Sequence, residues 1–242
     1  MRISVELQPR REYPAADVAL VVDVLRATTT VCVLLEGGGV PWVGLAETVA
    51  LARELAPPGA WRAGEIGGLA PPGFDLGNSP AECASWQFAG RPVVLATTNG
   101  TLAVHRCYTE MGSLGLACLR NLQAAAAWAL ASGGEQISVI CAGRLGGVGA
   151  DDVYVAGRLV EAILALEPDC WLDDGAVVAR ASARDLGAPQ QAFSHSAAGI
   201  SLARAGFEAD LELAAQLNVS EVVPKLVRRA GQLLIFTSEG PG

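Results

Sequence analysis

Residues 19–30 read ALVVDVLRATTT, and this stretch decides how the chain folds. Val18, Leu20, Val21, Val22 and Val24 make a short, β-branched apolar run, the pattern of a strand buried on both faces. Asp23, Arg26 and three consecutive threonines then fall where the strand gives way to a helix. An ionised Asp buried beside such a strand costs several kcal/mol unless a cation or hydrogen-bond donors compensate it. The available compensators are a metal ion, Arg26, and the hydroxyls and amides of the turn. As a purely structural pair, Asp23 and Arg26 would cap the next helix.

Working outward, strands are expected over 3–7, 40–45, 61–65, 92–96, 113–118 and 136–141. Helices are expected over about 28–36, 46–56, 78–88, 99–108, 121–131 and 151–166. The first helix should stop at Gly37-Gly38-Gly39. Asn78-Ser79-Pro80 is a helix start, a capping side chain followed by a proline whose missing N–H is harmless there. Beyond residue 166 the chain turns more helical, over 173–184, 196–205 and 208–217, with closing strands over 219–223 and 232–236. The alternation predicts an α/β fold, a largely parallel or mixed sheet covered by helices on both faces. No repeat, low-complexity tract or linker divides residues 1–242, which are expected to form one catalytic unit or two closely packed α/β lobes.

Composition narrows the function. Half the residues are apolar and 17% charged, which argues against disorder. A net charge of −8 argues against general nucleic-acid binding but not against a small anionic ligand held by local arginines or a metal. Lys225 is the only lysine, a bias that reflects base composition rather than function. No apolar run is long enough to span a bilayer and no signal-like segment opens the chain, so no membrane partner and a cytoplasmic location are expected. The six cysteines show no CxxC spacing and read as buried free thiols rather than a zinc site or disulfide framework.

In sheets of this kind ligands bind at the carboxyl ends of strands. Asp23, Glu65, Thr97-Thr98-Asn99 and Cys141 all fall at such predicted ends. In GFDLGNSP, residues 73–80, Asp75 and Asn78 offer oxygen ligands to a hard cation such as Mg²⁺, or an Asx-rich turn before the cap. TTNGT, residues 97–101, has the form of a strand-to-helix anion cradle in which Thr98, Asn99, Gly100 and Thr101 converge on a negative ligand. Asp151 and Asp152 follow a glycine-rich loop; as neighbours on a helix they point in different directions, and the helix dipole alone favours acids there. Cys141 is followed by Arg144 at a spacing too short for a tyrosine-phosphatase loop, so a buried or site-lining thiol is expected. His105 and His195 each read as a proton donor or a structural histidine.

Taken together these segments resemble the 2-phosphosulfolactate phosphatase family, the ComB-type enzymes. The resemblance is carried by DVLRATTT (23–30), Gly64-Glu65, GFDLGNSP (73–80), TTNGT (97–101), Asn121, CAG (141–143) and Asp151-Asp152. Weaker matches are the G-F-x-x-D run over 206–210 and Val223-Pro224. The resemblance implies a Mg²⁺-dependent acid phosphatase that hydrolyses (2R)-2-phospho-3-sulfolactate to 3-sulfolactate and phosphate, a step in coenzyme M biosynthesis. It also implies an α/β fold distinct from the haloacid dehalogenase-like phosphatases. Three positions depart from the family pattern: Asp151 stands where Glu is usual, Ile66 where Arg often follows Gly-Glu, and Asn218 where Asp is expected.

On this basis Asp23, Glu65, Asp75 and Asp152 are the expected source of metal ligands, and Asp23, Arg26, Asp151 and Asp152 the expected catalytic set. Arg26, Thr28, Thr29, Asn78, Thr98, Asn99, Gly100, Thr101, Cys141 and Gly143 are the expected substrate contacts. Direct attack by water is favoured over an aspartyl-phosphate on Asp23, because Leu25 stands where the second acid of the haloacid dehalogenase pattern would be. Two other classes stay open: a phosphatase for another phosphorylated 2-hydroxy acid, and a non-catalytic binder of small anions. A homodimer is the base expectation for a soluble enzyme.

Overall fold

In the computed structural model, which describes residues 1–37 and 39–239, the apolar run becomes the second of ten strands in one sheet. The first half of the chain runs β1 (Arg2–Glu6), β2 (Ala16–Val22), α1 (Ala27–Glu36), β3 (Val43–Leu45), α2 (Val49–Leu55), β4 (Trp61–Gly64), α3 (Pro80–Ser85), β5 (Val93–Ala96) and α4 (Gly100–Cys107). It continues through β6 (Met111–Ala117), α5 (Leu122–Ala131), β7 (Gln136–Cys141), α6 (Ala150–Leu166), β8 (Trp171–Leu172) and α7 (Asp174–Asp185). The remainder is α8 (Pro189–His195), α9 (Ala197–Arg204), α10 (Glu208–Ala214), β9 (Lys225–Ala230) and β10 (Leu233–Thr237). The expected stop of α1 is seen at Gly37; Gly38 lies outside the described residues.

The strand order is β4-β5-β3-β10-β9-β6-β2-β7-β1-β8. One parallel block is β4-β5-β3 and the other β6-β2-β7-β1-β8. The β9–β10 hairpin joins them through three antiparallel pairings, β3 with β10, β10 with β9, and β9 with β6. The two blocks therefore run in opposite senses along the ladder. Five interstrand steps separate β5 from β2, and at about −20 to −25° each their twist accumulates to on the order of 100°. That rotation lets the ends of oppositely directed strands meet.

Side-chain alternation in β2 shows how both faces are covered. Val18, Leu20 and Val22 enter one core, where residues of α5, α6 and α7 cover them. Ala19 and Val21 enter a second core that also takes Val93 and Leu95 of β5, Leu234 and Phe236 of β10, and the inward faces of α1 and α4. This second core draws on both parallel blocks, so α1 and α4 are held between them. Each fully buried Val or Leu contributes roughly 1.5–3 kcal/mol, so β2 is fixed by burial on both sides. A third, smaller core packs α2 on the opposite face of β5 and β10.

Two expectations are corrected. Residues 219–223 are not a strand; they follow the β6–α5 loop, where Asn218 N donates to Leu119 O (3.0 Å) and Ser220 N to Arg120 O (2.9 Å). The ladder resumes only after Pro224, at β9. The last helix is shorter than expected and ends at Ala214, while β8 and α8 form where the sequence carries no clear period. No helix among the described residues is long and apolar enough to cross a membrane.

Candidate active site

A cleft of about 340 Å³ opens where the carboxyl ends of β2, β4 and β5 approach the loop after β7 and helix α9. Asp23, Arg26, Glu65 and Arg144 are its charged lining groups, with Asn78, Thr98 and Ser201 among the polar ones. Asp23 leaves β2 toward this cleft. The turn behind it is closed by its own threonines: the Thr28 hydroxyl donates to Asp23 O (2.9 Å) and Thr29 to Val24 O (2.8 Å). These buried hydroxyls build the turn and do not face a ligand, so the expected substrate contacts at Thr28 and Thr29 are corrected to structural ones.

The anion cradle expected over 97–101 holds protein carboxylates. Thr98 N donates to Glu65 Oε1 (2.6 Å), and Thr101 N to Thr97 Oγ1 (3.2 Å). Thr101 is fully buried, with its hydroxyl on Thr97 O (2.8 Å), and is corrected from a ligand contact to the brace of the turn. Gly100 is placed against Asp23: a Cβ there would lie 2.5 Å from Asp23 Oδ2 and 2.6 Å from the Ala27 Cβ. Helix α4 can therefore approach β2 only with glycine at its first position. The Thr98 and Asn99 side chains remain on the cleft wall.

A single hydrogen-bonded chain runs along that wall. From Thr98 it passes to Glu65, whose Oε2 accepts from Gly68 N (2.8 Å). Gly68 O accepts from Arg26 Nη2 (2.8 Å), and Arg26 Nη1 donates to Asp210 Oδ2 (2.7 Å). Asp210 Oδ1 in turn accepts from the Ser79 hydroxyl (2.5 Å) and Ala81 N (3.1 Å), at the start of α3. The Arg26 guanidinium also stacks on the Phe207 ring at 4.5 Å. The weak G-F-x-x-D match thus gains a physical role, since its Phe and Asp hold Arg26. Ser79 caps α3 through Glu82 N (3.1 Å), as its sequence position suggested.

Behind Asp23 lies a cluster of buried acids. Asp152 ties two strand ends together, accepting from Val24 N at Oδ1 (2.9 Å) and from Gly143 N at Oδ2 (2.9 Å). Burial pushes the Asp23 carboxyl up to about 7, and the nearby Asp151 charge adds to the rise. Burial raises Asp151 to about 6, partly offset by the Asp151 amide and by the Arg144 charge. Asp152 is also raised, by burial and then by Asp151 and Asp23. Like charges gathered out of water disfavour full ionisation. The cluster either shares protons or attracts a cation.

Not every expected residue joins the site. Asp75 is exposed and turned back on β4, accepting from Arg62 N (2.8 Å), and lies outside the cleft. Cys141 is fully buried, and burial together with Asp152 and Asp151 pushes its thiol well up, so it stays protonated. Gly143 serves through its backbone amide on Asp152 rather than on a ligand. His105 bonds the Leu45 carbonyl (3.0 Å) and His195 that of Gln191 (2.8 Å), both away from the cleft. All six cysteines are free thiols, five of them buried. Arg144, Ser201, Phe207 and Asp210 were not expected as site residues; only the short match over 206–210 hinted at the last two.

For a divalent cation the relevant question is donor chemistry. Asp23 lies at the cleft with its carboxylate on the Ala27 amide, at a long 3.4 Å, and on the Gly100 amide. Asn78 Oδ1 is buried with no hydrogen-bond partner and belongs to the same lining. Among the described residues no three His, Cys, Asp or Glu side chains converge as a metal cage. A sparse oxygen set of this kind fits Mg²⁺, which keeps several waters and takes one or two carboxylates plus substrate phosphate, better than Zn²⁺ or Ca²⁺.

The family model described as 2-phosphosulpholactate phosphatase matches residues 3–229, a span that contains every element of this cleft. The chain belongs to that family. Relatives similar over almost their whole length include the probable 2-phosphosulfolactate phosphatases of Deinococcus radiodurans, 48% identical over 94% of each chain, and Thermus thermophilus, 43% identical over 98% of this chain and 99% of the relative. The protein of the same name from Carboxydothermus hydrogenoformans is 33% identical over 98% of both chains. The cleft is thus the candidate active site of a member of the 2-phosphosulfolactate phosphatase family.

Proposed function

We propose that this protein is a Mg²⁺-dependent phosphatase that hydrolyses 2-phospho-3-sulfolactate to 3-sulfolactate and phosphate, the reaction type used in coenzyme M biosynthesis. The observation that carries the reading is the wall running from Thr98 through Glu65 and Arg26 to Asp210, with Asp23 beside it. It joins four separated sequence segments at one small cleft, with carboxylates and a guanidinium group side by side. A phosphoryl dianion entering this cleft meets Asp23 and Glu65, which repel it. Asp23 and Asn78 Oδ1 are the groups that would hold a cation there, and its charge would offset that repulsion.

Phosphate monoester hydrolysis is among the slowest uncatalysed reactions, so catalysis rests on positioning and charge neutralisation. Bound Mg²⁺ supplies neutralisation of the phosphoryl oxygens and of the leaving oxygen. Arg26 offers five N–H donors, of which two are committed to Asp210 and Gly68, leaving the others for phosphoryl oxygens. Its stacking on Phe207 and its pairing with Asp210 hold it in place before substrate arrives, which preserves orientation. The Thr98 and Asn99 side chains, on the same wall, add neutral donors. Asp151, buried behind Asp23 and raised to about 6, lies outside the cleft lining and bears on the reaction through Asp23, whose carboxyl its charge raises further. Water is the favoured nucleophile: Cys141 is buried and protonated, both histidines lie elsewhere, and Asp23 lacks a second acid two residues on, where Leu25 stands.

The test is phosphate release from 2-phospho-3-sulfolactate, 2-phospholactate and phosphoglycolate, each with Mg²⁺ and with EDTA. Metal-dependent turnover with the highest kcat/KM on the sulfonated substrate is expected. A preference for phospholactate or phosphoglycolate would replace the substrate, and binding without turnover would replace the enzyme.

A further inference from the structure

Of the four charged groups on the cleft wall, three are already engaged or belong to the metal end. Glu65 accepts two backbone amides, Arg26 is countered by Asp210, and Asp23 lies beside the acid cluster. Arg144 differs. It lines the cleft, is partly exposed, and forms no ion pair among the described residues.

Its backbone is nevertheless firmly set. Arg144 N donates to Gly147 O (3.1 Å) and Gly147 N to Arg144 O (2.9 Å), closing a tight turn. The residue before it, Gly143, has φ +67°, and a Cβ there would lie 2.2 Å from Gly147 O. Its amide is held by Asp152 (2.9 Å). A rigid turn therefore presents to the cleft a guanidinium with no direct ion pair, whose charge reaches the buried Asp151 only at longer range, an arrangement that loses little backbone freedom when an anion binds.

We propose that Arg144 binds the sulfonate of the substrate and sets the preference for sulfonated over unsulfonated 2-phospho acids. The assignment rests on the phosphosulfolactate reading above. The substrate carries three anionic groups. Phosphoryl and carboxylate oxygens are good bases that suit hard cations and neutral donors. Sulfonate oxygens are weak bases with charge spread over three atoms, so they ligate hard cations poorly and are held best by a fixed charge with several N–H groups. Arg26 has its charge countered within the protein, which leaves Arg144 to match a permanent anion. Asp152 acts here as a positioning residue, through Gly143 and the turn.

The test compares kcat/KM for 2-phospho-3-sulfolactate and 2-phospholactate, which differ only in the sulfonate, in wild type, Arg144→Gln and Arg144→Lys. Loss of a charged hydrogen bond predicts that Arg144→Gln loses roughly 10- to 100-fold on the sulfonated substrate, mainly in KM, and stays within about threefold on phospholactate. Arg144→Lys keeps the charge and should retain part of the discrimination. Thermal unfolding of both variants should match wild type, because the side chain carries no ion pair. Parallel losses on both substrates, or no loss on either, overturn the Arg144 assignment while leaving the phosphatase reading intact. A wild-type enzyme inert toward 2-phospho-3-sulfolactate overturns both.

Discussion

Replacing Asp210 by asparagine should show how far the cleft depends on a residue distant from it in sequence. The Arg26–Asp210 pair is 2.7 Å long, with both side chains almost fully buried. Removing one partner of such a pair leaves a buried, uncompensated cation and typically costs about 3–5 kcal/mol. At about 2–4 °C per kcal/mol for a chain of this size, the midpoint of thermal unfolding should fall by on the order of 10 °C. The substituted side chain retains one carbonyl oxygen for Ser79 or Ala81, so the start of α3 should survive and the loss should centre on Arg26. Urea unfolding at neutral pH gives the free energy, and phosphate release at a temperature where the variant is folded gives the activity. Activity should fall by about tenfold or more, because Arg26 loses its fixed direction. The apolar double variant Arg26→Met/Asp210→Leu should recover only part of the stability, because the Ser79 hydroxyl, Ala81 N and Gly68 O lose their partners as well, and none of the activity. An Asp210→Asn protein within about 0.5 kcal/mol of wild type and fully active would refute this account of the wall.

Other consequences are simpler to state. Asp23 has a folded pKa of about 7 against 3.8 unfolded, so its contribution to stability is fully present below about pH 4 and is lost as pH rises to 7. In EDTA, wild type should therefore lose up to about 4 kcal/mol across that window, and Asp23→Asn should flatten the slope and be the more stable protein at mildly alkaline pH; a less stable variant there would contradict the pKa. Gly100→Ala drives a methyl into Asp23 and Ala27 and should cost roughly 1–3 kcal/mol with a large loss of turnover, measured by unfolding and assay together. Cys141→Ala should keep kcat within about threefold while losing about 1 kcal/mol of stability; a collapse of kcat in a folded variant would restore the thiol as a candidate nucleophile.

What the sequence made legible follows from how each residue acts. Asp23, Glu65 and the 97–99 turn were readable because each ends an apolar strand, where ligands gather in α/β sheets; that the ends of two opposed blocks meet depends on the twist of the whole sheet, which no local pattern shows. The joining of two opposed blocks by the β9–β10 hairpin was not, because β9 reads KLVRRA, without the apolar signature of its neighbours. The run over 219–223 has that signature and is no strand, since its polar backbone is taken up by the β6–α5 loop and Pro224 follows. Asp75 looked like a ligand from its spacing to Asn78, yet a bridge between Ala63 and Leu76 folds the loop along β4 and brings its carboxylate onto Arg62. Thr28, Thr29 and Thr101 carry the residue types of an anion site but satisfy their own turns first. Asp210 meets Arg26 across 184 positions, a contact no local pattern encodes. Arg144 sits in the right place only because Gly143 allows the turn.

The most direct test of the central claim is a Mg²⁺ titration of 2-phospho-3-sulfolactate turnover in wild type and Asp23→Asn. Saturable activation by Mg²⁺ in wild type, abolished by EDTA and absent from a folded Asp23→Asn, is the predicted result. Turnover that persists in EDTA, or that survives in Asp23→Asn with unchanged metal dependence, would contradict it.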